Sequence, residues 1–187
     1  YYEEAGVLRD MFQNHMLQLL AMTAMEPPSV FEADMVRDEK IKVFRSLRPF
    51  PTGTMDRYLV LGQYASGTMD GQSLRAYREE PGVVRESVTP TYAMTKVFID
   101  NWRWQGVPFY LRSGKRMTSK ITEIAIQFKK VPYLMFREVL SESIQPNVLV
   151  LRIQPDERIT VTFQAKLPGA KVCLQPVTMD FHYSSVS

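Results

Sequence analysis

The sequence predicts an α+β fold, a large and mainly antiparallel β-sheet with helices packed on one face. Three observations predict it. Helix-favouring residues fill the opening segment, and period-two alternation dominates the last third. Neither GxGxxG nor GxxxxGK[ST] occurs anywhere, which removes the doubly wound nucleotide-binding class.

From Val7 to about Met25 nearly every residue favours a helix, and Pro27-Pro28 ends it because proline lacks the donor and disfavours helical backbone behind it. A second helix is predicted from Glu32 to Leu47, with Met35, Val36, Ile41, Val43 and Phe44 spaced among charges and Pro49 as the stop. After Thr52-Gly53 the pattern changes. In RYLVLGQY, Tyr58 and Val60 face one way and Leu59 and Leu61 the other, as on a strand. Residues 66 to 89, with four Gly and Pro positions among charges, read as a long surface connection. TYAMTKVFID (91–100) and VPFYLR follow as strands, the second closed by Ser113-Gly114. Four more strands end the chain: EIAIQF (123–128), NVLVLRIQ (147–154), RITVTFQAK (158–166) and VTMDFHY (177–183). In the third, Ile159, Val161 and Phe163 alternate with Thr160, Thr162 and Gln164, and the connection PDE is short enough for a hairpin.

With 187 residues and 45% apolar content the chain can close a real core, and one globular unit is expected. It begins at Tyr1 and reads as a piece of something longer. No apolar run reaches the roughly 18 residues of a membrane span. The single cysteine, Cys173, excludes an internal disulfide framework and fits a buried thiol in a reducing cytoplasm. A net charge of +3 is too mild to argue for nucleic acid, and it agrees with a local pocket for an anionic small molecule.

Three places carry candidate chemistry. In LRDMFQNHMLQLLAM, α-helical spacing sets Leu8, Met11, Phe12, His15, Leu19 and Met22 along one line, so His15 is expected inside an apolar seam. There it is either a core histidine satisfied by a backbone carbonyl or a general base kept neutral by burial. Asp10, five residues back, would stand about 140° away on an α-helix and could not orient it by helical adjacency. The second place is YLRSGKRMTSK, where Arg112, Lys115, Arg116 and Lys120 crowd together with no acid between them. It is either a solvated basic turn or a cradle for a phosphate monoester. The third is LVLRIQP, where Arg152 and Gln154 either edge a sheet or reach into a cleft at the strand end.

Six blocks in order, GVLRDMFQNHMLQLLAM, VRDEKIKV, VLGQY, NWRWQGVPFYLRSGKRM, LRIQPDE and a following LPG, closely resemble the C-terminal domain of bacterial glucose-6-phosphate dehydrogenase. The resemblance extends over essentially all of residues 1–187 and implies a substrate-binding and dimerisation domain, incomplete at its end, with the family's N-terminal dinucleotide-binding domain outside the chain. It implies that His15 takes the proton from the anomeric hydroxyl while hydride leaves C1 for NADP. It further implies that Asp10, Lys115, Lys120 and Gln154 bind glucose 6-phosphate, and that the carboxylate orienting the histidine lies upstream. The expectations that follow are a cytoplasmic oxidoreductase of the oxidative pentose phosphate pathway and a homodimer formed through the sheet, with no metal, membrane or nucleic acid involved. The chain alone is expected to be inactive. The rival from another class is a non-catalytic module for sheet-mediated dimerisation or sugar-phosphate binding.

Overall fold

Phe12, Leu20, Ala24 and Val43 from the helices meet Ala93, Val97, Ile99 and Leu111 from the strands and their ends, and these residues form one buried cluster. In the computed structural model, which describes residues 2–131, 144–169 and 174–183, the helices that supply this cluster come first. They are α1 (Tyr2–Val7), a π-helix (Leu8–Met16), α2 (Leu17–Ala24) and α3 (Ala33–Arg45). The predicted helix ends at Pro27 and Pro49 fall within a few residues of the observed ones. Cys173 lies outside the described residues.

Strands β1 (Leu59–Gly62), β4 (Tyr92–Val97) and β5 (Phe109–Gly114) form one antiparallel sheet in the order β1-β4-β5. Along β4, Ala93, Thr95 and Val97 are buried while Tyr92, Met94 and Lys96 alternate with them, so one face of this sheet is the floor of the helical core. The long connection is more ordered than its composition implies. It holds a ribbon, β2 (Gly67–Met69) and β3 (Gln72–Leu74), closed by Asp70 and Gly71 at φ 52° and 78°. An Asp-Gly pair with both φ positive is the type I′ signature of a two-residue hairpin, a signal the glycine-rich reading passed over. Beyond the ribbon, Gln63 donates to the carbonyls of Ser87 and Thr89 at 3.1 and 3.0 Å, and Arg78 donates to that of Ser87 at 2.9 Å.

The composition leads one to expect a single unit, but the chain divides into two compact ones, Tyr1–Met117 and Thr118–Ser187. The second is an antiparallel meander, β6 (Thr122–Gln127), β7 (Val148–Gln154), β8 (Arg158–Lys166) and β9 (Leu174–His182). Class and antiparallel pairing are as predicted; the strands are shared among a three-stranded sheet, a four-stranded sheet and the ribbon. Cross-strand register separates the two faces of the meander. Ile124, Leu151, Ile159 and Phe181 stand in one row and Ile126, Leu149, Val161 and Met179 in the next. On the opposite face Glu123, Arg152, Arg158 and His182 form a polar row, with Thr160 hydrogen-bonded to Asp180 and Thr162 to Thr178. No described residue of this second unit is fully buried, which is the physical reason the chain does not close around one core.

Candidate active site

The helix that carries His15 departs from α geometry. Its closing backbone bond runs from the Leu17 N–H to the Phe12 carbonyl, five residues back, and the Asn14 side chain donates to the Arg9 carbonyl over the same span, at 3.4 Å. Each turn therefore takes up one residue more than an α-helix does. The predicted seam is corrected accordingly. Of its six members only Phe12 is fully buried, Leu8 and Met22 are 38% and 47% exposed, and His15 itself is exposed. The buried line runs instead through Phe12, Leu20 and Ala24, with the partly buried Leu17 packed against it.

The same geometry revises the relation between Asp10 and His15. In a helix closed by i→i+5 bonds, a residue five further on stands about one turn above, so the two side chains leave the same side of the helix rather than diverging. Asp10 is half-buried. Pi-helical turns inside α-helices are frequent at functional sites.

Lys115 reaches this helix through β5, which packs against it. Just past the strand end, the Lys115 N–H donates to the Thr91 carbonyl at 2.9 Å. Its ammonium sits over the ring of Tyr2, 3.5 Å from the centroid. Burial, with the nearby Asp10 carboxylate as the second cause, pushes the Tyr2 phenol up to about 12. Tyr2 thus has Asp10 on one side and Lys115 on its face.

The basic segment is not free of acids once folded. Arg116 pairs with Glu80 at 3.0 Å, and that hydrogen bond raises its pKa, with the Tyr64 hydroxyl as a further cause. Sequence reading found no acid because Glu80 lies 36 residues away. Arg112 pairs with Met94 in the register, on the sheet face away from the helices. In the second unit, Gln154 at the end of β7 is registered against Thr122 of β6, two residues past Lys120, so Lys120 and Gln154 share one end of that meander. The structure therefore groups Asp10, His15 and Lys115 in the first unit, and Lys120 with Gln154 in the second.

Tyr2 and Glu80 are the residues that sequence reasoning missed. An aromatic beside a helix start carries no signal of its own, and an acid in a glycine-rich connection reads as a solvated charge. Among the described residues no cluster of three or more His, Cys, Asp or Glu could hold a metal, and no helix is long and apolar enough to cross a membrane.

Comparison with known proteins identifies the family of the chain as a whole. The chain is 48% identical over 187 residues to glucose-6-phosphate 1-dehydrogenase of Aggregatibacter actinomycetemcomitans, covering 100% of this chain and 37% of that protein. It is 46% identical over 181 residues to the Bacillus subtilis protein of the same name, covering 97% of this chain and again 37% of the relative. A solved glucose-6-phosphate dehydrogenase in complex with its substrate glucose-6-phosphate superposes with a TM-score of 0.86 at 37% identity, over 100% of this chain and 36% of the other. The Mycobacterium avium structure gives a TM-score of 0.80, also at 37% identity, over 97% of this chain and 37% of the other. The chain thus spans little more than a third of the length of these relatives. The family model described as glucose-6-phosphate dehydrogenase, C-terminal domain, matches residues 1–187 throughout, and the chain belongs to that family.

Proposed function

We propose that the chain is the sugar-phosphate-binding part of a cytoplasmic dehydrogenase that oxidises glucose 6-phosphate at C1 to the 6-phospholactone, with NADP as hydride acceptor. The observation that supports this reading best is that β5, whose end leads into Lys115, packs on the π-helix that carries Asp10 and His15, with the His15 side chain exposed. The His15 ring is open to a substrate hydroxyl and takes the C1 hydroxyl proton as the carbonyl forms. Asp10 accepts hydrogen bonds from sugar hydroxyls. Lys115, in the same unit as Asp10 and His15, holds another part of the sugar phosphate, while Lys120 and Gln154 belong to the second unit. Proton transfer to a positioned base contributes roughly 10² to 10⁴ in rate, and orientation of the sugar supplies a larger share.

The described residues do not fit a primary NADP site, since they contain no strand, glycine-rich loop and helix that would cradle a dinucleotide. Binding of the hydride acceptor is therefore assigned to protein outside this chain. The chain alone is expected to form no NADPH from NADP and glucose 6-phosphate; absorbance rising above buffer would contradict that. In the full-length enzyme, His15→Asn should lower kcat by orders of magnitude and leave the affinity for glucose 6-phosphate close to unchanged. Normal turnover in that variant removes His15 from the mechanism.

Assembly is a second role, supported by the uncovered rows on the meander. Met179 and Phe181, on its apolar face, are 44% and 53% exposed, although their cross-strand neighbours are hydrocarbon. A second copy laid on this face would bury it, as apolar interface cores do. Sedimentation at micromolar concentration should give a dimer, and Met179→Lys should give a monomer. A wild-type protein that sediments as a monomer ends this proposal and leaves the enzymatic one standing.

A further inference from the structure

Two neighbouring cations are treated in opposite ways. Arg116 is neutralised by Glu80 at 3.0 Å, whereas Lys115 makes no ion pair among the described residues and rests on the face of Tyr2 at 3.5 Å. A carboxylate would hold an ammonium equally well. It would also cancel its charge and occupy its donors, leaving little for an anionic ligand. An aromatic face attracts the cation through its quadrupole and consumes neither.

The seat itself is rigid. Tyr2 packs against the core cluster and meets the Tyr77 ring edge to face at 6.3 Å. Tyr77 is fixed in turn by a 2.7 Å hydrogen bond from its hydroxyl to Glu3 and by edge contact with Tyr64 at 5.5 Å. The Tyr2 hydroxyl is buried without a hydrogen-bond partner among the described residues, so it contributes nothing to holding the ring.

We propose that Tyr2 is a positioning residue: its ring holds the Lys115 ammonium in place, fully charged, for the sugar phosphate, so that aromaticity at position 2 sets substrate affinity. This rests on the reading of Lys115 as a substrate contact. The test uses the full-length dehydrogenase with glucose 6-phosphate as the varied ligand. Tyr2→Leu should raise KM about three- to thirtyfold, the factor a partly desolvated cation–π contact is worth, and change kcat less than about twofold. Tyr2→Phe should retain the low KM, because the ring is kept and only an unpartnered hydroxyl is lost. In a Lys115→Ala background, Tyr2→Leu should add nothing further.

If Tyr2→Leu proves misfolded by circular dichroism, progressively fluorinated phenylalanines at position 2 keep the shape and drain the quadrupole, and KM should rise along that series. Unchanged KM in Tyr2→Leu or along the fluorinated series, while Lys115→Ala raises it, overturns the positioning role. So does a Tyr2→Phe enzyme as impaired as Tyr2→Leu. Unchanged KM in Lys115→Ala overturns the substrate reading of Lys115, and the inference with it.

Discussion

Gly114, in the RSGK turn, is where the smallest possible addition should do measurable harm. A Cβ built there lies 2.8 Å from Cδ2 of Tyr92, 3.4 Å from Tyr92 Cβ and 3.2 Å from Met117 Sδ. Tyr92 and Gly114 are direct partners across β4 and β5, which brings the ring edge against the glycine. Ordinary contact begins near 3.4 Å, and the ring must therefore retreat by more than half an ångström. Met117 is flexible and yields cheaply. Overpacking of this kind costs about 1–3 kcal/mol. With a urea slope of about 2 kcal/mol/M, Gly114→Ala should lower the unfolding midpoint by about 0.5–1.5 M. Both tryptophans, Trp102 and Trp104, lie in the first unit, so their fluorescence follows the unit that contains Gly114. Gly67→Ala is the control: nothing lies within 4 Å of the added Cβ, and the midpoint should move by less than about 0.5 kcal/mol in stability. Equal midpoints for Gly114→Ala and wild type would refute the packing argument.

Phe12→Ala removes the most buried aromatic of the π-helix and should cost about 3–5 kcal/mol by the same fluorescence assay; a loss under about 1 kcal/mol would mean that the helix is not seated on the core. The pH dependence has a definite sign. Hydrogen bonds from Ser87 and then Tyr77 hold the Glu3 carboxyl below its ordinary 4.5, and the Arg48 hydrogen bond holds Asp100 below its ordinary 3.8. Each lowered carboxylate adds stability that is present above its unfolded value and is lost as pH falls through its folded one. The urea midpoint should hold down to about pH 5 and decline below, and Asp100→Asn should flatten that decline; a midpoint independent of pH between 5 and 3 would contradict both.

Secondary structure was legible because its causes are local. Pro27 and Pro49 stop helices by removing donors, and the alternation of Ile159, Val161 and Phe163 with threonines can be satisfied only by a strand with one apolar face. The same pattern predicted antiparallel pairing, and the three-residue connection PDE predicted the β7–β8 hairpin. The family, too, was written in the chain, in motifs as specific as RDMFQNH and PFYLRSGK.

What the sequence could not determine depends on register within a helix and on contacts between distant residues. Period 3.6 is the default for any helical pattern, and nothing in the residues from Leu8 to Met16 announces i→i+5 closure. That closure turned His15 out of its expected seam and set Asp10 about one turn before it on the helix. Glu80 neutralises Arg116 from 36 residues away, and Tyr2 lies under Lys115 from the far end of the first unit. These pairings join segments that are distant in the chain and meet only in the folded unit. Local pattern specifies which elements form, whereas only tertiary packing chooses which of several adjacent cations is neutralised and which keeps its charge.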